Sequence, residues 1–401
     1  MNLYEDLKWR GLIKDVSNPE LERILNEEKV TFYWGTDPTA DSLHIGHYSS
    51  LVTAKRLAAY GHKPILLIGG ATGLIGDPRP SGEREIISKE TLDRYYEGIK
   101  KQVTNLFNGN IELVNNYDWM KDYTFLDFLR DIGKHININY MLNKDIINRR
   151  LDSGITYAEF SYTLIQGYDF LHLFKEKGVT LQAAGSDQWG NITTGIELIR
   201  KIEGKEAYGF TMPLILDATG KKIGKSEGNA LWIDKEKTSP FKIYQYFINT
   251  DDSLVIHYLK VFTFLSKEEI ETLEQSLKTE PEKRLAQKAL AYEIIKDLHG
   301  VEEADKAKKE SEDIFSSRGM TESTETIEVN SELNISIVDF LMLTEMFPSK
   351  SEARRMVEQN AISINSEKIN DPKTIIDSSF IKDGGILVQK GKKQFKKVVI
   401  K

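Results

Sequence analysis

The chain has 401 residues, of which 40% are apolar, enough for two or three cores and too many for one. A net charge of −7 excludes a general polyanion binder, so any nucleic-acid contact needs a local basic patch. The absence of cysteine excludes disulfides, thiolate nucleophiles and cysteine-based zinc sites.

The N-terminus, Met1 to Lys8, is acidic and broken, so it is no signal peptide, and no run reaches the roughly 18 apolar residues of a membrane span. The expectation is a soluble cytoplasmic protein with no membrane partner. The histidines are scattered and share no metal-ligand spacing with carboxylates, so no metal site is expected.

Strand-like and helix-like stretches alternate along the first two-thirds. Val30–Trp34 is β-rich and ends at Gly35. A helix is predicted from about Ile45 to Tyr60, with Gly61 as its stop. Pro64–Ile68 is a short, wholly apolar strand before Gly69-Gly70, and Val179–Ala183 is another, followed by a helix from about Gly190. Continuous apolar strands separated by helices predict a parallel sheet. Ligands of such sheets lie beyond the carboxyl ends of the strands, which points to the loops after Trp34, Ile68 and Ala183.

From Leu265 to Gly300 the pattern becomes helical. Ser266 with Glu269 fits a capping box, and Pro281 suits the first turn of a second helix ending at Gly300. Residues 316–334 are polar and rich in Ser, Thr and Glu, and read as a linker. The tail, 335–401, carries 12 Lys+Arg against 8 Asp+Glu, hence +4. A positive module on a negative protein is the footprint of an RNA contact, and a solvated lysine edge strand is the competing reading.

Two stretches carry chemistry. Asp37-Pro38-Thr39-Ala40-Asp41-Ser42-Leu43-His44-Ile45-Gly46-His47 joins a strand to a helix. His44 and His47 share one face of the first helical turn, whose unpaired N–H groups and positive dipole end favour phosphate. Gly46 leaves room for a flat base. In Gly220-Lys221-Lys222-Ile223-Gly224-Lys225-Ser226, two lysines three apart can swing onto a polyphosphate. A P-loop fails here, because its first glycine would be at position 219, which is Thr219.

These two motifs, in this order, resemble the paired signatures of class I aminoacyl-tRNA synthetases. His44-Ile45-Gly46-His47 matches the first in every letter, and Lys222-Ile223-Gly224-Lys225-Ser226 matches the second at both lysines and the serine. Further stretches are similar to the bacterial-type tyrosyl-tRNA synthetase family: Tyr33, Asp37–Ala40, Gly69–Asp77, Asn115–Trp119, Gln166–Asp169 and Gly185–Asn191. The basic tail resembles that family's small αL-type RNA-binding module.

The resemblance implies an α/β Rossmann-like parallel-sheet catalytic domain (1–220), then a signature loop with an α-helical domain (221–315). The linker (316–334) and the α+β RNA-binding domain (335–401) follow. It implies formation of tyrosyl-adenylate from L-tyrosine and ATP, magnesium arriving with the ATP, no prosthetic group, transfer to tRNA(Tyr), and a homodimer. By resemblance His44, His47, Thr39, Lys222, Lys225 and Ser226 serve the phosphates. Asp37, Gly46, Gly185 and Asp187 belong to the ATP site, with Gly46 against adenine and Asp187 on the ribose. Tyr33 and Asp169 would grip the substrate's phenol hydroxyl. Tyr162, Gln166 and Asp77 would take its ammonium group, with Gln188 near the reacting carboxyl. Tyr162, Gln166 and Asp169 are spaced four and three apart, which is one face if the segment is helical. Three rivals stay in view: a tryptophanyl-tRNA synthetase, a small-molecule nucleotidylyltransferase, and an inactive paralogue retained for RNA binding.

Overall fold

The computed structural model describes residues 1–77, 87–223, 225–226, 229–316, 326–329, 333–365, 367–382, 384–391 and 394–400. Residues 78–86, Arg84 among them, lie outside that description. The chain divides into two units, Met1–Ser239 with Tyr246–Leu298, and Pro240–Gln245 with His299–Lys401.

The first unit is built on a five-stranded sheet: β1 (Thr31–Thr36), β2 (Lys63–Ile68), β3 (Glu112–Asn115), β4 (Val179–Gly185) and β5 (Tyr208–Met212). Their order is β3-β2-β1-β4-β5, and every pair is parallel. β2 shows why: from Pro64 to Ile68 every residue is buried, which only a strand covered on both faces achieves. The helices Ile45–Ala59, Tyr157–Lys177 and Trp189–Glu203 follow the strands. Phe170, Leu171, Leu198 and Ile199 of the latter two pack with Ile65 and Leu67 in one core. Strand order reverses at β1, so the crevice beyond the ends of β1 and β4 is the expected ligand seat.

The helix Ile45–Ala59 stops as the sequence predicts, with Gly61 at φ 92° in the left-handed region. Buried Arg10 ties the N-terminal helix Leu3–Trp9 to the rest of the unit. Its Nε donates to both oxygens of Asp6 at 2.9 and 3.0 Å, and its other nitrogens reach the carbonyls of Lys260, Thr263 and Leu265. Ser266 and Glu269 form the expected capping box. Pro281 instead sits in a separate 3-10 turn, Pro281–Lys283. Arg284 at φ 51° breaks the chain before the helix Leu285–His299.

The second unit has its own core, in which Ile337, Phe340 and Leu341 pack with Ile362, Ile364, Val388 and Val398. Its sheet runs Glu367–Ile369, Ile362–Ile364, Ile386–Lys390, Gln394–Ile400, Thr326–Val329. Thr326–Val329, inside the stretch read as linker, is therefore a strand, parallel to Gln394–Ile400. Its alternation of Thr, Ile, Glu and Val is a half-buried strand pattern, and Val329 reaches the core. In the lysine-rich segment, Gln394–Ile400 pairs with Ile386–Lys390 on one side and, from Lys397 on, with Thr326–Val329 on the other, while Lys392 and Lys393 lie outside the described residues. Lys350, Arg354 and Arg355 of the helix Lys350–Glu358 line a shallow depression. Among the described residues, no helix is long and apolar enough to cross a membrane.

Candidate active site

A cleft of about 1230 Å³ opens at the switch point of the parallel sheet. It is lined by Tyr33, Asp37, Thr39, His44, Gly46, His47, Asp77, Tyr162, Gln166, Asp169, Gly185, Asp187, Gln188 and Lys222. These are all the residues singled out in the sequence except Lys225 and Ser226. That pair forms a two-residue strand against Asn229–Ala230.

The inner end is polar and closed. Tyr33, on β1, is 1% exposed, and its hydroxyl has no hydrogen-bond partner among the described residues. Asp169, also 1% exposed, lies on the continuous helix Tyr157–Lys177, so Tyr162 and Gln166 do share its helix. Its Oδ2 accepts from Asn116 Nδ2 at 3.0 Å and its Oδ1 from Trp119 Nε1 at 2.9 Å. Among the described residues no cation pairs with it. Burial pushes the Asp169 carboxyl up to about 7, against the pull of the two donors. Burial and the nearby Asp169 charge hold the Tyr33 phenol well above its ordinary value.

An aspartate with a folded pKa of about 7 and an ordinary value of 3.8 takes up a proton on folding between those values. Its ionisation therefore costs stability as pH rises through that window, and the cost is complete above about 7. Asp169→Asn removes this titration. The difference in Tm between variant and parent should move in the variant's favour between pH 5 and pH 8. A pH-independent difference would contradict the assignment.

A hydrogen-bonded chain runs from this end to the middle of the cleft. Asn116, fully buried, donates also to Thr72 Oγ1 at 3.0 Å, and its Oδ1 accepts the Ala71 N–H at 2.7 Å. Thr72 Oγ1 donates to Asp37 Oδ1 at 2.7 Å, and Tyr162 Oη to Asp37 Oδ2 at 2.9 Å. Gly69 is needed here, because a Cβ would fall 2.1 Å from Asp37 Oδ1. Nearby, Gln188 Nε2 donates to Asp77 Oδ2 at 2.9 Å. Asn191 Nδ2 donates to Gln188 Oε1 at 2.8 Å and to Gln166 Oε1 at 2.9 Å.

The outer end holds the helix start. His44 is the N-cap of Ile45–Ala59. Its Nδ1 accepts the Gly46 N–H at 3.0 Å, and His47 Nδ1 accepts the His44 N–H at 3.2 Å. Each neutral ring is thereby fixed with its proton on Nε2. The Cβ direction of Gly46 meets the His44 ring at 2.7 Å and the Ile223 carbonyl at 3.0 Å, so only glycine fits. The first motif is also stitched to the segment after the second: Ile45 N donates to Leu231 O, and Ile233 N to Leu43 O. Lys222 Nζ stands 3.2 Å from Asp187 Oδ2, both about half exposed, so this pair is weak and easily exchanged for a ligand.

Sequence reasoning gave no role to Asn116, Trp119, Thr72 or Asn191. Asn115–Trp119 and Gly185–Asn191 stood out only as family-like stretches, and nothing in spacing says which distant carboxylate such residues face.

A switch-point cleft on a parallel sheet, with a histidine-capped helix start bonded to the segment that follows the lysine motif, is the arrangement of a class I aminoacyl-tRNA synthetase, and the comparisons with known proteins agree. The family described as tRNA synthetases class I (W and Y) matches residues 25–316, and the Tyrosine--tRNA ligase SYY-like C-terminal domain matches 317–398. The tyrosine--tRNA ligase of Geobacillus stearothermophilus is 45% identical over 413 residues, covering 98% of this chain and 99% of its own. Tyrosine--tRNA ligase 1 of Bacillus subtilis (strain 168) is 45% identical over 414 residues, covering 98% of both. Among solved structures, a C-terminally truncated Aspergillus nidulans mitochondrial tyrosyl-tRNA synthetase superimposes with a TM-score of 0.70 at 34% identity. It covers 78% of this chain and 94% of that one. The chain belongs to the tyrosine--tRNA ligase family, whose members join tyrosine to tRNA, with ATP as the expected substrate.

Proposed function

We propose that the inner end of the cleft binds the phenol of L-tyrosine and the outer end the phosphates of ATP. The observation that carries this is the buried Tyr33 hydroxyl that meets no partner among the described residues, beside a buried Asp169 carboxylate that meets no cation among them. A substrate phenol donates to Asp169 and accepts from Tyr33. Phenylalanine leaves both groups buried and unpaired, the rule for which tyrosine against phenylalanine is the standard illustration. Tyr162, Gln166 and Asp77 serve the ammonium end, and Gln188 lies by the carboxyl.

In the reaction a tyrosine carboxylate oxygen attacks the α-phosphorus, and the bond to the bridging oxygen breaks, releasing pyrophosphate with its electron pair. The carboxylate is already ionised, so no general base is needed, and positioning with charge stabilisation supplies the acceleration. His44 and His47 donate from Nε2 to the phosphates as charge builds, with Thr39 beside them. Lys222, Lys225 and Ser226 close from the loop. Asp187 exchanges Lys222 for the ribose, and Asp37, Gly46 and Gly185 complete the ATP site. Magnesium enters on the ATP. A hydroxyl of the nucleotide at the tRNA's 3′ end then attacks the adenylate carbonyl, giving up its proton as the carbonyl–phosphate bond breaks and AMP leaves.

Residues 1–220 hold the adenylate site, 221–315 add the signature loop and helices, and 335–401 bind tRNA(Tyr), in the cytoplasm. The chain acts as a homodimer. Phe125, Leu126, Ile138 and Tyr157 are 61–75% exposed, on helices packed around the small core of Met141, Ile147 and Leu164. Such a set on one group of helices suits a covered face. Sedimentation should give twice the chain mass, and a single-chain mass would exclude the dimer. The site assignment is tested by exchange of labelled pyrophosphate into ATP with each amino acid in turn. Tyrosine-only exchange supports it, and tryptophan-dependent or absent exchange overturns it.

A further inference from the structure

The two donors that hold Asp169 are not equally secure. Asn116 is locked in a network: besides Asp169, its Nδ2 donates to Thr72 Oγ1, and its Oδ1 accepts the Ala71 N–H. Trp119 has one polar atom, the indole N–H, which it gives to Asp169 Oδ1 at 2.9 Å. It stands on the four-residue helix Tyr117–Met120, too short to fix a side chain by itself. The aim of its N–H is therefore set by what lies against the ring. His172 lies there, with ring centroids 4.3 Å apart and planes 21° from parallel. His172 and Asp169 are three apart on the helix Tyr157–Lys177, so they share one face. The indole thus spans one helical turn, its edge on Asp169 and its face on His172. Neither His172 nor Trp119 is among the described residues that line the cleft.

We propose that His172 is a positioning residue: its imidazole pins the Trp119 indole so that the N–H stays on Asp169, and so sets how strongly the cleft prefers tyrosine to phenylalanine. This rests on the assignment of the inner end to the substrate's phenol. When the indole turns away, the carboxylate loses a donor that favours its charged form and is less firmly held where a phenol can reach it. Phenylalanine brings no hydroxyl to Asp169, so it does not sense that loss. The contact needs a flat face and not a charge. Burial holds the His172 imidazole below its ordinary value, which leaves the ring neutral at neutral pH. A phenyl ring can therefore stand in for it, and an aliphatic side chain cannot, because stacked rings attract beyond the area they bury.

The test is pyrophosphate exchange by the full chain with tyrosine and with phenylalanine, giving kcat and KM for each. His172→Leu fills the space without a flat face. It should lower kcat/KM for tyrosine by about three- to tenfold, the contribution of one ring pair, and do so through KM. The phenylalanine value should stay within about twofold. His172→Phe restores the stack and should keep tyrosine within about twofold of the parent. Trp119→Phe removes the N–H itself and should cost tyrosine about tenfold or more. Adding His172→Leu to Trp119→Phe should then cost less than about twofold further, because there is no N–H left to aim. Equal losses for both amino acids in His172→Leu would make the residue ordinary packing and overturn the proposal. So would a His172→Phe as impaired as His172→Leu, or losses at 119 and 172 that multiply. If Trp119→Phe does not fold, the leucine and phenylalanine variants at 172 still decide. A parent with no preference for tyrosine would overturn the phenol assignment and this proposal with it. A parent that prefers tyrosine, with a His172→Leu that prefers it as much, overturns this proposal alone.

Discussion

A chain ending at Ser316 should form tyrosyl-adenylate at nearly the full rate and fail to charge tRNA. The tail carries its own core, Ile337, Phe340, Leu341, Ile362 and Val398 among it, and the cleft is lined, among the described residues, by residues between Lys14 and Ile223. The cut belongs after Ser316 and not at 335, because a cut at 335 would leave Thr326–Val329 as an unpaired strand. Pyrophosphate exchange should stay within about threefold, while kcat/KM for tRNA falls by at least about a hundredfold. The loss comes from Lys350, Arg354, Arg355 and the lysines near the C-terminus, so tRNA binding by the intact chain should weaken steeply with salt. Parallel loss of both steps would mean that the tail supports the catalytic fold rather than binding RNA.

The second large effect is expected at the helix start. His44→Asn and His47→Ala each remove an Nε2 donor, and each should lower kcat for adenylate formation by about two orders of magnitude. That is the usual cost of one donor aimed at developing charge. Tyrosine affinity should hardly change, because both rings stand at the start of the helix Ile45–Ala59, the end of the cleft assigned to ATP. Asparagine is chosen at 44 because it is itself a strong N-cap, so the helix Ile45–Ala59 keeps its first turn. The two losses should fall short of additive if the rings act on one leaving group as a unit, and their centroids are 4.0 Å apart. A rise in KM for tyrosine with kcat unchanged would place the histidines elsewhere.

Much of this arrangement is legible before any coordinates. The helix start, the apolar strands and the loops that follow them come directly from periodicity and turn residues. The helical face shared by Tyr162, Gln166 and Asp169 is simple arithmetic once that segment is helical. What holds those residues is not legible. Asp169 is oriented by Asn116 and Trp119, 53 and 50 positions away, and no local pattern marks an asparagine or an indole as the partner of a distant carboxylate. The strand Thr326–Val329 is hidden for a different reason. It is four residues long with two apolar positions, and only the neighbouring Gln394–Ile400 makes it a strand. The split role of Asp37 also escapes sequence reasoning, which sees a motif residue and not its bonds to Thr72 and Tyr162.

Kinetic selectivity of Tyr33→Phe bears most directly on whether the buried end of the cleft reads a phenol. Exchange rates with tyrosine and with phenylalanine give kcat/KM for each in parent and variant. Losing one hydrogen-bond partner should cut the tyrosine value by about three- to tenfold, leave the phenylalanine value unchanged or higher, and lower selectivity by the same factor or more. Equal loss for both amino acids, or selectivity that does not move, would mean that the Tyr33 hydroxyl meets no phenol.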